Sequence, residues 1–224
     1  MQVGNARYLT AEDLPETVPV FPLTGALLLP AGQLPLNIFE PRYLELFDFA
    51  LRGNRLIGMV QPSLTEPSPT DGGQAALAPV GCLGRITSFA ETGDGRYIVS
   101  LSGLCRYRVI SEVRSHHPFR QIRISPFVTD LSAAQEEESV DRSRLLATFR
   151  AYLEANTLEA DWDSVQRASN LTLVNSLSMM SPFGPAEKQA LLEAPDLKSR
   201  AETLIAITEI YLARGSGESD RTLQ

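Results

Sequence analysis

The spacing of apolar positions changes character three times along the chain. Between 18 and 38, VPVFPLTGALLLPAGQLPLNI, short apolar runs alternate with Pro and Gly, which reads as short strands and turns and excludes a long helix. From 41 to 52 the period becomes helical, with Tyr43, Leu44, Phe47, Ala50 and Leu51 on one stripe, Pro41 suited to the first helical position, and Gly53 and Asn54 as a stop. A strand follows at 56–60. Residues 62–79, four of them Pro and two Gly, show no apolar period and predict a mobile surface excursion. Runs at 82–92 and 96–104 flank Gly93-Asp94-Gly95, a hairpin signal, and two further extended runs cover 105–113 and 120–128. Together they predict an antiparallel sheet rolled into a barrel.

Beyond Asp130 the pattern is helical. Ser132 and Gln135 form a candidate capping box ahead of Glu136, Glu137 and Glu138, acids that suit a first helical turn. Leu145, Phe149, Tyr152 and Leu153 mark one apolar face. Val165, Ala168, Leu171, Leu173 and Val174 lead into another that ends near Met180. Gly184-Pro185 opens a short helix, and Ala201, Leu204, Ile205, Thr208, Tyr211 and Leu212 pattern the last one, followed by a fraying tail. No unit repeats at a fixed period.

Charge adds one feature to this outline. The net charge is -7, yet residues 81–125 hold seven Arg against Glu91, Asp94 and Glu112, so a basic strip is expected on an acidic body. Lys188 and Lys198 are the only lysines, so the basic groups are overwhelmingly planar guanidiniums suited to paired contacts. The N-terminus, MQVGNARYLTAEDL, lacks the basic start and apolar middle of a secretory signal, and the apolar stretch around 26–29 stops at Pro30. A soluble, cytoplasmic protein that does not cross a membrane is the expectation, with Cys82 and Cys105 as buried reduced thiols.

Strong chemical signatures are missing. There is no G-x-x-x-x-G-K-[ST] phosphate cradle, no G-x-S-x-G elbow, no H-E-x-x-H and no pair of CxxC motifs, so no cofactor or metal is expected and no catalytic residue is assigned. A nucleophile pair of Cys105 with His116 or His117 is the one enzymatic alternative the residue types allow. Trp162, between Asp161 and Asp163, reads as a packing residue at the head of a helix, with a recognition aromatic as the alternative.

Ordered motifs make the text specific. Within 18–51, Pro22, Leu23, Pro30, Pro35, Leu36, Ile38, Phe39, Glu40, Arg42 and Tyr43 resemble the opening of the Lon N-terminal domain family, with its "P-L-x-I-F-E-x-R-Y" step into a helix. Gly81, Ile86, Asp94, Gly95, Ile98, Gly103, Leu104, Arg106 and Val109 resemble its strand and hairpin positions, and Pro185, Glu187, Lys188, Gln189, Leu191, Leu192 and Glu193 its helical close. The resemblance runs over about 17–213. It departs at Ala31, an extra residue ahead of Gly32, and in having no counterpart to the family's ATPase and protease regions after Leu212.

The resemblance implies an α+β fold, a PUA-like pseudo β-barrel followed by a C-terminal helical bundle. The barrel is expected over 17–130, the helical part over 131–213, and flexible termini at 1–16 and 214–224. It also implies a non-catalytic module, an adaptor or chaperone-like factor that binds unfolded or exposed protein segments, with a full-length Lon-type protease as a further partner. Phe39 and Tyr43 at the barrel–helix corner, and Met179, Met180 and Phe183 at the helix junction, are the candidate peptide-binding residues. Core packing is the alternative role for each, and a Glu40–Arg42 pair would fix the corner. The competing function is RNA binding by a PUA-like module through Arg85, Arg96, Arg106, Arg108, Arg120 and Arg123, a reading the acidic net charge opposes.

Overall fold

A computed structural model describes residues 1–65, 74–132 and 140–219, with side chains described as far as 214. Its strands are β1 (Gln2–Val3), β2 (Ala6–Arg7), β3 (Thr17–Pro22), β4 (Gln33–Ile38), β5 (Leu56–Val60), β6 (Val80–Glu91), β7 (Tyr97–Val113) and β8 (Arg120–Pro126). Its helices are α1 (Pro41–Arg52), α2 (Arg142–Ala155), α3 (Trp162–Arg167), α4 (Asn170–Met180), α5 (Pro185–Glu193) and α6 (Leu197–Ser219). The fold is mixed α+β. Two units are distinguished, Met1–Ala133 with Pro182–Leu192, and Ala134–Ser181 with Glu193–Gln224.

The first unit is organised by β7, whose 17 residues run unbroken where the pattern suggested two strands. One edge of β7 pairs with β6 from Tyr97 to Arg108. Its other edge changes partner, taking β4 along Tyr97–Ser102 and β8 along Tyr107–Val113. The six-stranded order β4-β7-β6-β5-β3-β8 therefore returns on itself through β7–β8, a ring-like sheet that leaves β4 at an edge. Pro35 fits that position, since a proline cannot donate to a second neighbour. The expected all-antiparallel sheet is corrected in one place: β3 and β5 pair parallel, because β4 and α1 form the crossover between them.

Inside the ring the central side chain is Tyr107, fully buried, with its hydroxyl donating to the Met59 carbonyl at 3.1 Å. Only glycine opposite leaves room for it: a Cβ on Gly58 would stand 2.6 Å from Tyr107 Oη, and one on Gly81 would meet both that oxygen and the Met59 carbonyl. Gly103 marks a similar approach, by the Leu29 carbonyl, where its N–H donates to Gly32 and its carbonyl accepts from Ala31, which has a left-handed φ of 62°. Around Tyr107 pack Val18, Val20, Leu56, Leu83, Leu104, Cys105, Ile122 and Ile124.

Arg106, next in the strand, is 5% exposed and closes the unit from outside the core. Its Nε and Nη2 donate to the two carboxylate oxygens of Asp130 at 2.8 Å each, and its backbone N–H donates to the same carboxylate at 2.9 Å. Nη1 donates to the Leu192 carbonyl at 3.3 Å, which together with Gln61 to the Pro185 carbonyl and Gln189 to the Val80 carbonyl ties 182–192 to the sheet. Residues 1–16, expected as a flexible terminus, are ordered instead: β1 and β2 form a hairpin, and Val3, Tyr8 and Leu14 are buried with the ring core because their apolar side chains have a sheet face to cover.

In the second unit α2 packs against α6, and α4 also packs against α6, burying Leu145, Tyr152, Leu153, Leu173, Val174, Leu204 and Ile205. The single helix expected around 165–180 is broken into α3 and α4 by Ser169, whose hydroxyl caps the Thr172 N–H at 3.2 Å. Asp141 caps α2 in the same manner. The proposed capping box at Ser132 and Gln135, with Glu136 to Glu138, extends outside the described residues, as does the middle of the 62–79 excursion. The final helix continues to Ser219, beyond the expected fray point.

Removing one partner of a buried ion pair leaves the other charge unsolvated, so Asp130→Ala should cost about 3–5 kcal/mol. Gly81→Ala should cost about 1–3 kcal/mol by overpacking against Tyr107. Urea titration of both variants measures these losses, and a parental midpoint for either would contradict the packing described.

Candidate functional site

Helix α1 begins on Pro41 with Glu40 as its N-cap residue, and buries Tyr43, Leu46, Phe47 and Ala50, one stripe at helical spacing. Tyr43 stacks obliquely on Phe21 of β3 at 4.2 Å between ring centroids, and Phe47 meets Phe21 edge-on at 6.2 Å. The outer side of the helix carries Glu45 and Phe49, and against these lies the loop joining β7 to β8. His117 stacks on Phe119 at 4.7 Å, Phe49 contacts both rings, and His117 Nδ1 is 3.2 Å from a Glu45 oxygen.

Between α1 and this loop lies a cavity of about 360 Å³, within the size range of small-ligand pockets. Pro22, Pro62, Pro118 and Phe119 form its apolar wall, and Arg42, Tyr43, Gln74, Ala75 and Arg120 its polar one. Arg42 pairs with Glu40 at 2.8 Å, as the corner predicted, and its guanidinium lies 4.6 Å from the Tyr43 ring centre. Arg120 grips Glu112 through two bonds of 2.9 and 2.6 Å and donates to the Ala75 carbonyl at 2.7 Å. Tyr43 is only 7% exposed, yet its hydroxyl has no hydrogen-bond partner among the described residues. Burial pushes its pKa up, opposed by Arg42, raised further by Glu40 and lowered again by Arg120, so the hydroxyl stays protonated at neutral pH and can donate.

The five candidate peptide contacts fall into different surroundings. Phe39 is 63% exposed just ahead of α1, while Tyr43 is buried and reaches the cavity with its hydroxyl. Met180, at the end of α4, is 82% exposed and Met179 half-buried; both belong to the second unit, whereas Phe183 is buried and belongs to the first. The second unit also has a hollow of about 400 Å³ lined by Trp162, Arg150 and Glu154, where the Arg150 guanidinium covers the Trp162 ring at 4.6 Å and Phe149 packs at 6.1 Å.

Most of the arginines read as an alternative RNA surface are engaged within the protein. Arg106 is buried on Asp130. Arg85 donates to Tyr8, Asn54 and Asn5, Arg96 pairs with Asp94, and Arg120 with Glu112. Arg108 and Arg123 are exposed, the former beside the Phe127 ring at 5.8 Å. Arg120 was singled out for its charge but sits in the cavity wall. Pro22 stood out only as a motif position, and Phe119 and Pro118 not at all, because only the tertiary placement of their loop and strand gives them a shared wall.

Cys82 and Cys105 are free and buried. Burial pushes the Cys105 thiol up to about 12, with the Asp130 charge adding to the rise and Arg106 opposing it. The thiolate is the nucleophile, so Cys105 is unsuited to the catalytic pair considered above. Ellman's reagent at pH 8 should detect no fast-reacting thiol in the native protein and two after unfolding in urea; rapid native modification of Cys105 would contradict its placement. Because the folded pKa lies above the unfolded one, this group's contribution to stability is present below about pH 9 and is lost progressively as the pH rises towards 12.

Among the described residues no helix is long and apolar enough to cross a membrane. The model of the ATP-dependent protease La (LON) substrate-binding domain matches residues 17–209. Lon protease 2 of Myxococcus xanthus is 27% identical over 205 residues, 89% of this chain and 24% of that protein. Lon protease 2 of Sorangium cellulosum is 28% identical over 201 residues, 86% of this chain and again 24% of the relative. The chain thus spans about a quarter of the length of these relatives. A Lon N-terminal domain protein from Xanthomonas campestris superposes with a TM-score of 0.59 at 22% identity, covering 85% of this chain and 97% of that one. The N-terminal domain of the Mycobacterium avium complex Lon protease gives 0.63 at 16%, over 86% and 98%. With its ring-like sheet, helical second unit and matched length, this chain belongs to the Lon substrate-binding domain family.

Proposed function

We propose that this protein is a non-catalytic module that binds unfolded or exposed segments of other polypeptides in the cytoplasm, as an adaptor or chaperone-like factor, with a full-length Lon-type protease as a partner. The observation that carries the reading is the proline- and phenylalanine-walled cavity beside α1, with Phe39 exposed at the head of the same helix. Such a surface accepts extended apolar chain without a reaction centre. Family membership supports it, since the matched domain is described as binding the substrate of an ATP-dependent protease, and the substrate of a protease is polypeptide.

Fluorescence anisotropy with a reduced, carboxymethylated and therefore permanently unfolded polypeptide tests the proposal. Binding at micromolar concentrations is expected, with little for the same polypeptide folded. Phe39→Ser should leave the melting temperature unchanged and weaken binding about threefold to thirtyfold, the range of one lost apolar anchor. No binding of the unfolded chain at 100-fold lower salt than physiological or at physiological salt would refute the reading, and retention of single-stranded RNA in its place would favour nucleic-acid binding.

A further inference from the structure

The cavity beside α1 has a chemical bias that apolar binding alone does not use. Among the described residues its wall holds two guanidiniums, Arg42 and Arg120, and no carboxylate. Glu40 and Glu112, which orient these arginines, lie outside the lining. Arg42 engages Glu40 through Nε and Nη2, and its Nη1 has no hydrogen-bond partner among the described residues. The hydroxyl of Tyr43 likewise has no hydrogen-bond partner among the described residues: the ring is buried against Phe21, while the oxygen stays accessible and free to donate to a group that enters the cavity. Two donors without a protein partner among the described residues, one of them cationic, thus belong to a cavity whose apolar wall is Pro22, Pro62, Pro118 and Phe119 and whose other lining residues are Gln74, Ala75 and Arg120.

Donors of this kind select an acceptor-only group of matching charge, and guanidinium with carboxylate is the strong form of that pairing. A phosphate would meet the same donors but gains nothing from the apolar wall, whereas a polypeptide end offers a carboxylate and an apolar side chain together. We infer that the cavity captures the terminal carboxylate of a polypeptide whose last residue is apolar, Arg42 and Tyr43 donating to the carboxylate oxygens while Phe119 and the prolines hold the side chain. The inference rests on the polypeptide-binding reading above and names the part of the chain that enters the cavity.

Three fluorescein-labelled decapeptides test it by anisotropy: one of Gly and Ser ending in Ala-Leu-Phe with a free carboxylate, the same peptide amidated, and an amidated version with Asp in place of the penultimate Leu. The free acid should bind at least tenfold more tightly than the amide. In the Arg42→Gln, Tyr43→Phe double variant, which retains the ring against Phe21, the difference should fall below threefold with the melting temperature preserved. Equal affinity of acid and amide overturns the inference while leaving the broader reading standing. An Asp-containing amide as tight as the free acid overturns the terminal assignment in favour of an internal carboxylate. Failure of all three peptides overturns it as well, and the unfolded polypeptide then decides separately: its binding would place recognition elsewhere, and its failure would remove the reading on which the inference depends.

Discussion

The buried pair of Arg106 and Asp130 constrains the first unit more than any other contact. A guanidinium this far from water must be matched, and Asp130 meets it with both oxygens while also receiving the Arg106 backbone N–H. The pair holds the turn after β8 against β7 at the point where β7 has changed partner from β4 to β8, so ring closure and charge satisfaction occur together. The remaining guanidinium nitrogen reaches the Leu192 carbonyl, which draws a segment distant in sequence onto the sheet. On the other face of the same strand Tyr107 fills the ring opposite Gly58 and Gly81. Strand β7 therefore presents a satisfied charge on one side and a satisfied hydroxyl on the other.

The cavity beside α1 follows from this closure. Pairing of β3 with β8 brings Pro22 and Arg120 to the same end of the ring, and the loop before β8 lays Pro118 and Phe119 along the helix that β3 and β5 enclose as a crossover. Tyr43 is fixed there by Phe21 rather than by a polar partner, which leaves its hydroxyl to the cavity. The polar contrast between the two tyrosines is informative: Tyr107 donates to a carbonyl and serves the fold, whereas Tyr43 keeps an unused donor at a place open to a ligand.

Local chemistry was legible in the sequence where one element determines it. The α1 stripe, the Gly93-Asp94-Gly95 hairpin and the Glu40–Arg42 corner required only spacing and residue type. Gly81 and Gly103 stood out as motif positions, and the structure supplies their physical reason in Tyr107 and the Leu29 carbonyl. What could not be read was long-range. Arg106 and Arg108 share a face of β7 and look equivalent in the alternation, but the turn carrying Asp130 covers only the first. The ordered hairpin of β1 and β2 depends on a sheet face that only the closed ring provides, and the parallel pairing of β3 with β5 on the crossover between them. Ser169 is different: its capping chemistry was present in the text, but a continuous apolar stripe drew attention past it.

The central claim is that the cavity between α1 and the β7–β8 loop is where this chain meets another polypeptide. Hydrogen–deuterium exchange in the presence of a saturating, permanently unfolded polypeptide tests it most directly. Protection concentrated in 41–52 and 117–120, with the β6–β7 hairpin unchanged, is the expected result. Protection confined to other segments, with 41–52 and 117–120 exchanging as in the free protein, would contradict it.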